Sequence, residues 1–173
     1  MKLLFLDMDG VINCETTLKS GEEKKTGIFW WERYDEQLVK RVYNLCEDYD
    51  FKIICSSTWR NSYDDLNQLK SCYERIGLNS NRLIGITPSF NTLRREEIRS
   101  CISSFLINDI TIDLVVVIDD EIFAKPKDTF QIPCYFGYTS WSGGYSKKVD
   151  KKVRKFLENV KIKEKINENL AFQ

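Results

Sequence analysis

The chain contains no histidine. Every mechanism that needs an imidazole is therefore excluded, Ser-His-Asp triads among them. An excess of charge of either sign is missing too: 26 Lys and Arg balance 26 Asp and Glu over 173 residues. That balance excludes a strongly basic nucleic-acid binder, and an ordinary apolar fraction of 42% excludes a disordered chain. No apolar run approaches the length of a membrane span. The run that opens the chain stops too early, at Asp7 and Asp9, to be a signal peptide. The reading is a soluble, cytoplasmic protein with no membrane partner. CxxC pairs are also absent, although there are six cysteines, at 14, 46, 55, 72, 101 and 134. Cys46, Cys55, Cys72 and Cys101 fall on apolar faces, where free cysteine acts as a small buried hydrophobe. Neither a disulfide framework nor a zinc site is expected.

What is present is a regular alternation of strand-like and helix-like segments. The length suits one domain with a sizeable core. Residues 2–7 read as a strand, and 13–34 as a flap or small hairpin over a site. Asp35 is the expected N-cap of a helix carrying Leu38, Val39, Val42, Leu45, Cys46 and Tyr49 on one face, with Tyr34 and Val39 spaced as a hydrophobic staple. A strand follows at 51–56. Ser62 and Asp65 resemble a capping box for a helix that Gly77 ends. A short strand spans 82–87. A helix from Thr92 to about Leu106 turns Ile98, Cys101, Ile102, Phe105 and Leu106 inward. A strand covers 114–118, an edge strand bent by Pro133 covers 130–136, and Val149, Val153, Phe156, Leu157 and Val160 mark a last amphipathic helix. The pattern predicts a single-domain α/β fold: a Rossmann-like parallel sheet with helices on both faces and only a small insert. Residues 1–160 form the expected core and 161–173 a C-terminal helix extension.

The chemistry sits at the strand ends. Lys2-Leu3-Leu4-Phe5-Leu6-Asp7-Met8-Asp9-Gly10 places two carboxylates where an apolar strand stops. Open α/β folds bind ligands at that edge. Two acids beside an apolar segment are costly unless neutralised, and a hard divalent cation takes oxygen ligands. The strand at 51–56 ends in Ser56, Ser57 and Thr58, and the strand at 114–118 ends in Asp119, Asp120 and Glu121. Arg94 and Arg95 open the helix between them, against its dipole. In that order the four elements resemble the haloacid dehalogenase (HAD) superfamily of phosphohydrolases, over roughly residues 1–145. Ser-Thr-Trp-Arg at 57–60 and Arg-Arg-Glu-Glu-Ile at 94–98 resemble a compact branch of it associated with nucleic-acid end repair.

The resemblance implies a Mg2+-dependent phosphomonoester hydrolase with an aspartyl-phosphate intermediate. Asp7 would be the nucleophile and Asp9 the general acid and base. Ser56 would bind a phosphate oxygen, with Ser57 and Thr58 as rivals; Arg94 would balance the phosphate charge, with Arg95 as its rival. Asp7, Asp9 through its carbonyl, Asp119 and Asp120 would hold Mg2+, with the direct ligand of the last pair left open and Glu121 peripheral. Met8 would offer its amide, and Gly10 would permit a close backbone approach. Trp59 could stack a base and Arg60 could grip a second phosphate, against packing and surface charge as the alternatives. One of Trp30 and Trp31 would anchor the flap, and Trp141 could stand at a rim. The interval from Asp9 to Ser56 leaves no room for a large cap, which favours a nucleic-acid 3′-phosphate end as substrate. The alternatives are a small (deoxy)nucleotide phosphatase, a non-catalytic HAD-fold binding module and, less fittingly, a receiver-type phosphoacceptor, whose acidic pair would come first. Residues 147–165 carry nine Lys or Arg and three acids, read as the wet face of a helix. No obligate protein partner is evident, and a monomer is expected.

Overall fold

The first strand is buried on both faces because it lies at the centre of a sheet. This computed structural model describes residues 1–21, 23–25, 27, 29, 32–90, 93–121 and 132–171, with side chains as far as 163. In chain order the elements are β1 (Lys2–Leu6), α1 (Glu15–Ser20), β2 (Lys24–Lys25), β3 (Arg33–Tyr34), α2 (Glu36–Tyr49) and β4 (Phe51–Cys55). There follow α3 (Leu66–Ile76), β5 (Leu83–Ile86), α4 (Arg94–Ile107), β6 (Leu114–Asp119), β7 (Cys134–Tyr138) and α5 (Lys147–Ala171). Short 3₁₀ turns at Thr58–Ser62 and Ser80–Arg82 lie on either side of α3. Five strands pair in the order β5-β4-β1-β6-β7, all parallel.

Alternation along the strands divides the core into two layers. Leu4, Leu6, Ile53, Cys55, Val116 and Ile118 pack with α2, α3 and α5. Leu3, Phe5, Ile54, Val115 and Val117 face the other way and meet Ile98, Cys101 and Ile102 of α4. The expected α/β sheet with helices on both faces is the observed one. In register, Leu6 lies beside both Cys55 and Ile118. Asp7, Ser56 and Asp119 therefore follow at one level of one edge. Asp7 N–H donates to the Ile118 carbonyl, and Ser56 N–H to that of Leu6, each at 3.0 Å.

Several boundaries shift for local reasons. Asp35 caps α2 as expected, its carboxylate accepting from Gln37 and Leu38 N–H. Ser62 and Asp65 do not form a capping box: Ser57 caps a 3₁₀ turn that ends at Ser62, and Asp65 itself caps a helix starting at Leu66. Leu106 is 37% exposed, because one helical step of about 100° carries it off the stripe that Phe105 completes. The edge strand β7 starts after Pro133, whose carbonyl accepts from Val115 N–H, while residues 130 and 131 lie outside the described set. The insert contains α1, which the sequence pattern did not suggest, and the antiparallel pair β2–β3. Helix α5 passes through residue 160 without a break. All six cysteines are free, five of them buried. Among the described residues no helix is long and apolar enough to cross a membrane.

Candidate active site

The carboxyl edge of β1 and β6 gathers three acids. Carboxylate oxygens of Asp7, Asp119 and Asp120 lie within 4.8 Å of one another, with Asp7 and Asp119 buried. Arg94, the first residue of α4, enters the cluster. Its Nη1 stands 3.4 Å from Asp7 Oδ1 and 3.2 Å from Asp119 Oδ2. One guanidinium does not balance three carboxylates. Burial, then the charge of Asp7, pushes the Asp119 carboxyl up to about 8, although Arg94 pulls the other way. The same two causes raise Asp120. Burial opposes the charge on Arg94, yet Asp7 and Asp119 outweigh it and hold Arg94 above its ordinary value. An all-oxygen set with surplus negative charge, partly desolvated, fits a hard divalent cation such as Mg2+.

The turn after Asp7 shapes the floor. Met8 is fully buried, and its carbonyl accepts from both Val11 and Ile12 N–H. Gly10 has φ +69°, and a Cβ there would lie 2.1 Å from Asp120 Oδ2. Only glycine lets Asp120 come so close. Both oxygens of Asp9 are held: Asn13 Nδ2 donates to Oδ1 at 2.8 Å and Trp59 Nε1 donates to Oδ2 at 3.0 Å. Burial raises the Asp9 carboxyl, the charge of Asp7 adds to this, and the Asn13 and Trp59 hydrogen bonds oppose it. Asn13 also accepts from Gly10 N–H and donates to the Arg33 carbonyl, tying the insert to the turn.

Beyond β4 the candidates separate. Ser56 Oγ is buried with no partner among the described residues. Ser57 Oγ accepts from Trp59 N–H, and Thr58 is exposed. Trp59 is only 2% exposed, so the structure gives its ring packing and a bond to Asp9 rather than an open stacking face. Arg60 is not a surface charge: Nη1 donates to the Ser56 and Ser57 carbonyls, and Nη2 pairs with Glu97 at 2.7 Å. These bonds hold it inward, away from a second phosphate. Arg94 enters the cluster, whereas Arg95 pairs with Glu96 at the surface. Glu121 donates its N–H to Asp119. Trp141 is 46% exposed, and its carbonyl accepts from Glu15 N–H. Trp30 and Trp31 lie outside the described residues.

Two residues escaped the sequence reading, Asn13 and Glu97. Asn13 stands four residues after Asp9, one helical turn on, which was a usable signal. Glu97 lies in the Arg-Arg-Glu-Glu-Ile stretch at 94–98, but nothing local pointed to its partner Arg60, 37 residues away.

A family model described as the HAD domain in Swiss Army Knife RNA repair proteins matches residues 3–134. No curated protein and no solved structure matches the chain.

Proposed function

The chain belongs to the family of HAD domains in Swiss Army Knife RNA repair proteins, and from that premise we propose that it hydrolyses phosphate monoesters at nucleic-acid 3′ ends. The carrying observation is the cluster of Asp7, Asp119 and Asp120 with the Arg94 guanidinium against it. The Asp7 carboxylate attacks phosphorus, forming an acyl phosphate as the ester P–O bond breaks. Asp9, whose carboxyl is raised by burial, donates a proton to the leaving oxygen. It then takes a proton from the water that hydrolyses the acyl phosphate, which regenerates Asp7. Arg94 offsets the charge on the phosphoryl oxygens. The unpartnered Ser56 hydroxyl gains an acceptor there, removing the cost of a buried orphan. A Mg2+ ion held by Asp7, Asp119 and Asp120, with the Asp9 carbonyl, would supply the charge that lets two anions meet.

The family description supports a nucleic-acid substrate. So does the small insert between Asp9 and Asp35, which among the described residues holds α1 and a two-residue strand pair. The test is phosphate release from an aryl phosphate, nucleoside 3′- and 5′-monophosphates and 3′- and 5′-phosphorylated oligonucleotides. Release should need Mg2+, stop in EDTA, favour the 3′-phosphorylated oligonucleotide and fall by about a thousandfold or more in Asp7→Asn. A folded protein that releases phosphate from none of them would sink this reading.

A further inference from the structure

Two adjoining concavities lead away from Arg94. The first, about 290 Å³, has Arg94 and Leu93 in its wall. The second, about 400 Å³, has Ile86 and Phe90. They share Arg60, Asn61 and Ser89, and so form one trench. Its charges are concentrated at one end. Arg94 stands at the head, facing the acids. Further along, the Arg60 guanidinium is neutralised by Glu97 and tied to the carbonyls of Ser56, Ser57 and Pro88. A second phosphate would find no unpaired cation there among the lining residues. The walls instead expose large apolar side chains among small hydroxyls such as Ser89 and Ser100: Ile86 is 45% exposed, Phe90 56% and Leu93 65%. Three large apolar side chains at the mouth of one site mark a contact surface rather than scattered exposure. Asn61 and Ser89 add donors and acceptors midway.

From this we infer that the trench seats the terminal nucleoside of the substrate, with its base stacked on Phe90 while its phosphate lies at Arg94. The inference rests on the phosphatase reading of the same site. A nucleoside suits the order of chemistry along the trench: anion, then a polar sugar, then a neutral planar ring. The volumes fall at the size of small-ligand pockets. Stacking tolerates any base, since each presents a π-face. The trench therefore selects a nucleoside over an aliphatic leaving group without reading sequence.

The test uses 3′-phosphorylated oligonucleotides ending in an ordinary or an abasic nucleotide, with wild type, Phe90→Ala and Phe90→Tyr. Phe90→Ala should lower kcat/KM about tenfold on the ordinary end, the loss expected for one stacked base. Phe90→Tyr should retain it. The abasic end should be slow with wild type and respond to Phe90→Ala by less than about twofold, since the two deletions remove one contact. Equal losses on both ends, or no loss on either, overturn the inference. If no phosphate is released at all, the phosphatase reading fails separately. The affinities of the same oligonucleotides for the same proteins then decide: the same pattern is expected, and equal affinity for ordinary and abasic ends overturns the inference.

Discussion

At the scale of single residues, the site depends on residues that supply no carboxylate. Gly10 is one. An alanine there must hold φ +69° and place a methyl 2.1 Å from Asp120 Oδ2. The backbone alone costs about 1–2 kcal/mol, and the clash displaces an acid of the cluster. Gly10→Ala should therefore weaken Mg2+ binding by more than about tenfold in a calorimetric titration. Trp59 is another. Its indole N–H is one of two donors that orient Asp9. Trp59→Phe removes the donor and puts a smaller ring in a buried place. A hydrogen bond to a charged group contributes about 1.5–3 kcal/mol, so kcat should fall about tenfold or more with KM little changed, and the melting temperature should fall as well. A fall in melting temperature with kcat unchanged would instead mark Trp59 as core packing only.

Among elements, ion pairs decide how the strand ends and helix starts are held together. Arg60 and Glu97, with side chains 3% and 6% exposed, join the turn after β4 to the first turns of α4. The same helix presents Arg94 to the acids. Arg60→Ala takes the nearest cation from buried Glu97, leaving it Arg94 at 4.0 Å and the Phe90 N–H, and should cost about 3 kcal/mol in urea unfolding. The double variant with Glu97→Ala should cost less than the sum of the two single ones. A second clamp lies at the opposite edge of the sheet. Arg82 pairs with Glu47 and Asp50 and donates to the Phe51 carbonyl, binding the end of α2 to the approach of β5. Its hydrogen bonds hold the Glu47 carboxyl down at about 2 and Asp50 below its usual range. Both folded values lie below the unfolded ones, so this stabilisation is complete above the unfolded values near pH 4 and fades as the pH falls toward 2. Arg82→Ala should thus differ from wild type in denaturation midpoint near neutrality, and the difference should shrink through that acid window.

For the whole molecule, the acid cluster is a reserve of unfavourable charge inside a folded domain. Anything that binds the folded cluster and not the unfolded chain raises stability by mass action, by about 2.7 kcal/mol at a hundred times Kd. Mg2+ should therefore raise the thermal midpoint of wild type in a concentration-dependent way. Asp119→Asn should melt higher than wild type without Mg2+, because it removes one of three crowded acids, and should lose the Mg2+ response. An equal response in both proteins would place the ion elsewhere.

The order of the five sheet strands and of the helices that follow α1, the two-sided sheet, the Asp35 and Gly77 caps and the run of acid pair, hydroxyl, cation and acid pair were all legible in the sequence. Each follows from local signals: apolar period, capping chemistry and residues at the ends of apolar runs. Residue spacing could not choose between neighbours. Ser56 or Ser57, and Arg94 or Arg95, differ by one step of backbone direction, which depends on the 3₁₀ turn at Thr58–Ser62 and on where α4 begins. Nor could it show that Trp59 turns inward to Asp9, or that Arg60 is neutralised by Glu97. Those contacts join residues 50 and 37 positions apart. The sequence by itself determined which chemistry gathers at the sheet edge. Only the packing of the turn after β4 against α4 decided which side chains face the acid cluster and which hold the others in place.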